Sequence, residues 1–86
     1  MIRVFTDFNA ITPDDVCWNL VFRGVDLDRQ IDDLGLKKGD RILLYQDEDD
    51  FDVEATLDHR YVDMLAREAW VAIPDWSTLV RKGMQP

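Results

Sequence analysis

Residues 51–58 read Phe-Asp-Val-Glu-Ala-Thr-Leu-Asp, a strict alternation of apolar and polar side chains. A strand points successive side chains to opposite faces, so Phe51, Val53, Ala55 and Leu57 share one face and Asp52, Glu54, Thr56 and Asp58 the other. A helix would scatter both sets around its circumference. The stretch therefore reads as a half-buried strand. Just upstream, Ile42 and Leu44 alternate with Arg41, Leu43 and Tyr45. A short polar connection at Asp47 to Asp50 joins the two runs, which predicts an antiparallel hairpin with an acidic loop. The rest of the chain must pair with that hairpin or cover it.

Other segments supply the partners. Ile2, Val4 and Phe5 predict a strand over MIRVFTDF, ended by loop residues from Asn9 to Asp15. Thr12-Pro13-Asp14-Asp15 is a helix-start signature, with an N-cap hydroxyl, an N1 proline and acids at the positive end of the dipole. The residues after it alternate instead: Val16, Trp18, Leu20 and Phe22 share one face of an extended chain. A single helical turn at Pro13–Asp15 leading into a strand over Val16–Arg23 reconciles the two signals, and Gly24 then permits a bend. Leu27, Ile31 and Leu34 form one helical stripe, closed by Gly35 at a left-handed C′ position, which predicts a short helix near 26–34.

Residues 59–74 carry both periods. Val62, Leu65, Ala66, Ala69 and Ile73 sit at helical spacing, whereas Trp70, Val71 and Ile73 ending at Pro74 favour a strand. The strand reading completes the sheet begun by the hairpin; a helix near 59–72 gives an α+β alternative. Pro74–Thr78 reads as a tight turn, Leu79 and Val80 as a last edge strand, and residues 82–86 as a frayed tail. With no repeat, linker or low-complexity segment, the chain reads as one domain over 1–86. The fold class is mainly β: one small curled antiparallel sheet of about five strands with one short helix.

The run Leu36-Lys37-Lys38-Gly39-Asp40-Arg41-Ile42-Leu43-Leu44-Tyr45 resembles the turn and first core strand of many SH3-like small β-barrels. The likeness extends loosely through the hairpin and the Trp70 strand to the turn at Pro74–Thr78, about half the chain. It implies a barrel-like fold and an interaction or accessory module more than an enzyme.

Composition narrows the function classes. A chain of 86 residues buries only about 60 to 65% of its unfolded surface, so three Trp, four Phe and two Tyr must fill a small core. Eighteen acids against ten bases give a formal charge of −8, which argues against nucleic acid, whose phosphates need basic partners. It favours a cationic one, although acidity also serves solubility. The single cysteine, Cys17, cannot form an internal disulfide, so a reducing, cytoplasmic compartment is expected. The N-terminal MIRVFTDFNA has charges at Arg3 and Asp7 and no long apolar core, so no signal peptide is expected, and no apolar run approaches the ~20 residues of a membrane helix.

Catalytic chemistry is thinly supplied. One His (His59), one Ser (Ser77) and one Cys (Cys17) lie in no nucleophile-elbow, phosphate-loop or paired-cysteine motif. A buried inert thiol and a surface histidine are the expected roles, rather than a Cys17–His59 dyad. No cofactor is implied, and no zinc set can be assembled without scattered carboxylates. The stretch LLYQDEDDFDVEAT, Leu43 to Thr56, holds six acids and no base, but it lacks the glycine and the ligand spacing of a calcium loop. Its better use is recognition of a basic protein or peptide by Asp47, Glu48, Asp49, Asp50, Asp52 and Glu54. Tyr45, Tyr61 and Trp76 could add cation–π contacts. Trp18 and Trp70 are expected in the core. The alternatives are a small-ligand-binding domain and a homo-oligomer paired through an edge strand such as Leu79–Arg81.

Overall fold

The computed structural model describes residues 1–8, 10–46 and 49–81. The alternating run lies within strand β5 (Asp49–Val62), antiparallel to β4 (Arg41–Gln46) in the register Ile42↔Ala55 and Leu44↔Val53. Ile42, Leu44, Val53, Ala55 and Leu57 are buried, which fixes the register, because a one-residue slip of β5 on β4 would turn Val53, Ala55 and Leu57 to the other face. Asp47 and Glu48, in the expected connection, lie outside the described residues, as does the expected tail at 82–86.

Past Leu57, β5 continues to Val62, the chain turns at Asp63–Ala66, and β6 (Arg67–Pro74) returns along β5. This overturns the alternative helix near 59–72. Val62, Leu65, Ala69 and Ile73 do come together, but from two strands and the turn between them. β6 is the wall between two clusters. Trp70 and Ala72 belong to the main core with Val4, Leu20, Leu27, Ile42 and Leu44, while Ala69, Val71 and Ile73 pack with Val16, Trp18, Val62 and Leu65. A strand covered on both faces reads as a continuous apolar run, which is why Ala69 to Ile73 shows no two-residue period.

Seven strands among the described residues form one curled sheet, in the order β3-β2-β1-β4-β5-β6 with β7 (Val80–Arg81) also on β5. β1 (Arg3–Thr6) is antiparallel to β2 (Leu20–Phe22) but parallel to β4, so the sheet is mixed rather than antiparallel throughout. The long excursion between β1 and β4 makes this possible, since parallel neighbours need a crossover of about a dozen residues or more. Within it, the expected strand over Val16–Arg23 contracts to β2 and a bridge at Cys17. The expected helical turn at Pro13–Asp15 is a hydrogen-bonded turn, with the Asp15 N–H donating to the Thr12 carbonyl at 2.9 Å and Asp15 at φ 67°, outside the helical region. Arg23 and Gly24, at φ 54° and 79°, make the two-residue link from β2 to β3 (Val25–Asp26), the positive pair that a type I′ hairpin requires. The expected helix near 26–34 is present in two pieces, a 3-10 turn at Leu27–Arg29 and α1 (Ile31–Leu34). Leu27 and Ile31 are buried but Leu34 is exposed, so the stripe is shorter than its spacing suggested. Gly35 ends α1 at φ 65°.

The sheet curls until the residues before β2 meet β6. The Cys17 N–H donates to the Ala72 carbonyl and the Ala72 N–H to the Cys17 carbonyl, each at 2.9 Å. Other groups on that edge of β6 are also occupied. Asp28 Oδ1 accepts from the Trp70 N–H at 3.3 Å, Arg67 Nη1 donates to the Glu68 carbonyl at 3.2 Å, and Pro74 has no N–H to offer. Because this closure is made by backbone, it should tolerate loss of the thiol and not loss of the amide. In urea titrations, Cys17→Ala is expected to cost about 1 kcal/mol and Ala72→Pro about 3 kcal/mol or more.

Candidate functional site

The acids of the hairpin are less open than the sequence suggests. Asp52 is buried and paired with Arg3 at 2.9 Å, and Arg41 Nη2 bridges Glu54 at 3.2 Å and Asp75 at 3.3 Å. Further along β5, Asp58 receives Arg60 at 2.5 Å and Lys38 at 3.3 Å. Asp52, Glu54 and Asp58 of β5 thus carry cations from the same chain. Asp49 and Asp50 lie on the backbone of β5 beside β4 and β7.

The three aromatics proposed with them do not gather at one place. Tyr45 is the cross-strand neighbour of Asp52, with the edge of Phe5 at 5.8 Å and the Arg3 guanidinium 4.2 Å from its ring centre. One cation–π position on Tyr45 is therefore filled internally. Trp76 is 42% exposed, begins a 3-10 turn at Trp76–Thr78, and rests on Phe8 at 5.6 Å. Its indole N–H donates to the Asp15 carboxylate, bracing the 12–16 loop against the turn after β6. Tyr61 lies nine residues beyond Asp52 on β5, up to about 30 Å away at the rise of an extended strand. Tyr45 neighbours Asp52, the turn carrying Trp76 is joined to Glu54 by the Asp75 N–H donating to the Glu54 carbonyl at 2.8 Å, and Tyr61 lies toward the other end of β5.

Tyr61 belongs to a groove of about 420 Å³. One wall is the loop carrying Ile11, Pro13, Val16 and Trp18; the other is the end of β5 and its turn, with Tyr61, Val62 and Met64. The Cys17–Ala72 bridge sets this spacing, because it seats Val16 and Trp18 on the second cluster beside Val62. Tyr61 and Met64 are 59% and 73% exposed. Asp14 and Asp63 add a carboxylate from each wall, and Arg60, which faces Asp58, is the cation of the lining. The loop is held by Thr12, whose N–H donates to the Val16 carbonyl and whose hydroxyl accepts from the Val16 N–H, both at 3.0 Å. The same hydroxyl donates to Asp14 Oδ1 at 2.5 Å, which holds the Asp14 carboxyl below its ordinary range.

The residues with nucleophilic or basic chemistry have structural surroundings. Cys17 is fully buried and burial pushes its thiol up to about 12, while the Thr6 hydroxyl beside it offsets a little of that rise. His59 is exposed and its ring lies 5.2 Å from that of Trp70. The Ser77 hydroxyl donates to Asp75 at 2.6 Å. Among the described residues no three His, Cys, Asp or Glu side chains gather as a metal site, and no helix is long and apolar enough to cross a membrane. No protein-family model, curated protein or solved structure matches the chain.

Sequence reasoning missed the groove except for Tyr61. Trp18 is half-buried, packing on the second cluster and lining the groove, and Trp70 is half-buried against the main core. The available signal was Met64, a large apolar residue in a turn, where polar residues are usual.

The Arg60 guanidinium, with Lys38 behind it, holds Asp58 down at about 2. A carboxyl whose folded value lies below its unfolded one stabilises the fold above the unfolded value of about 4 and loses that contribution as pH falls. Asp75, held low by Ser77 and Arg41, acts in the same direction. The urea midpoint is therefore expected to fall between about pH 4 and about pH 2. Asp58→Asn is expected to flatten that decline and to cost about 1 kcal/mol at pH 7.

Proposed function

We propose that the chain is a non-catalytic interaction module for a cationic protein or peptide. The observation that carries this reading is the balance of its ion pairs. Among the described residues, Arg3, Lys38, Arg41, Arg60 and Arg67 are set against Asp28, Asp52, Glu54, Asp58 and Asp75. Five cations meet five carboxylates, so internal pairing leaves the formal charge of −8 uncompensated. A field of that sign accelerates encounter with basic partners and repels phosphate backbones. The resemblance of residues 36–45 to SH3-like barrels supports a binding role, and Asp47, Glu48, Asp49 and Asp50 contribute to the long-range attraction.

The test is calorimetric titration with a short arginine-rich peptide. Affinity is expected to fall about tenfold or more between roughly 50 and 300 mM salt, as screening shortens the reach of the field. Replacing Asp47, Asp49 and Asp50 together by Asn is expected to weaken low-salt binding several-fold and to reduce the salt dependence. Binding indifferent to both salt and the triple substitution would contradict the reading.

A further inference from the structure

We infer that the groove between the 10–18 loop and the turn after β5 receives a lysine or arginine side chain of the partner, an inference that rests on the cationic-partner reading above. The chemistry of the groove is divided in the way such a side chain is divided. Val16, Trp18 and Val62 give it an apolar floor in the second cluster, and the exposed carboxyl-bearing residues Asp14 and Asp63 stand at opposite walls. Long cationic side chains lie with their methylene stems on apolar surface and their charged heads toward polar groups. Neither Asp14 nor Asp63 forms an ion pair among the described residues; Arg60 is held by Asp58 at 2.5 Å, and its charge also acts on Asp14 from within the groove. Asp63, and Asp14 beyond the partial influence of Arg60, can thus take an incoming cation, whereas Asp52, Glu54 and Asp58 of β5 are already paired.

The walls suit the same occupant. Thr12 fixes Asp14 in advance, which lowers the ordering cost of binding. Tyr61, exposed in the lining, supplies an aromatic ring for a cation, and Met64, flexible and polarisable, can close over the stem. A volume of about 420 Å³ lies toward the small end of the range for ligand sites, suited to a side chain or two of a bound segment rather than a folded element.

The test is an amide-detected NMR titration of the full chain with two peptides, one carrying three arginines between glycines and one carrying citrulline at the same places. Citrulline keeps the stem and shape and removes the charge. The arginine peptide is expected to shift amides in 10–18 and 60–64, and the citrulline peptide to bind about tenfold more weakly. Asp14→Asn and Asp63→Asn are each expected to lower arginine-peptide affinity by up to about fivefold, and Met64→Ala to lower affinity for both peptides. Salt-sensitive shifts confined to 46–54 would retire the groove and leave the cationic-partner reading standing. Equal binding of the citrulline peptide would overturn the cation assignment. The absence of any salt-sensitive shift would overturn both readings.

Discussion

Two hydrogen bonds between Cys17 and Ala72 tie the segment before β2 to β6, the strand at one end of this sheet. Without them the segment before β2 would have no fixed seat, Val16 and Trp18 would leave the outer face of β6, and the second cluster would lose its cover. The same pair defines the groove, since one of its walls is the loop that the bridge anchors and the other is the β5–β6 hairpin. Fold closure and candidate site are therefore one structural event. Cys17 suits the junction because its small side chain enters the main core while its neighbours on either side, Val16 and Trp18, face the second.

Charge is distributed with a similar division of labour. On β5, Asp52, Glu54 and Asp58 hold cations from β1, from the turn before β4, from β4 itself and from β5, and so tie the polar face of the sheet together. Ion pairs whose cation stays exposed to solvent, as here, contribute little each, about 0 to 1 kcal/mol, but they consume charge locally. The surplus of acid lies elsewhere, and in the groove Asp14 and Asp63 border an apolar floor beside Arg60 without an ion pair of their own among the described residues.

How much of this was legible depends on how local each signal is. The β4–β5 hairpin was readable because Phe51 to Asp58 alternates and its partner is the next strand in sequence. The short helix, its Gly35 terminus and the 76–78 turn were readable for the same reason. The parallel pairing of β1 with β4 was not, because it depends on where a long excursion returns. The identity of 59–74 was ambiguous because β6 is buried on both faces, which erases the two-residue period. The hairpin acids read as a free anionic surface because their cations come from distant positions: Arg3 reaches Asp52 across 49 residues of sequence. The groove was invisible for the same physical reason, its walls being joined by a pairing between residues 17 and 72.

Amide hydrogen exchange at Cys17 and Ala72 tests the closure most directly. If the bridge is the seam on which the sheet and the groove depend, both amides should exchange as slowly as those of Leu44 and Val53 in the hairpin core, opening only with global unfolding. Exchange of Cys17 and Ala72 at the rate of an exposed loop, while Leu44 and Val53 stay protected, would show that the sheet stands open and would contradict the account.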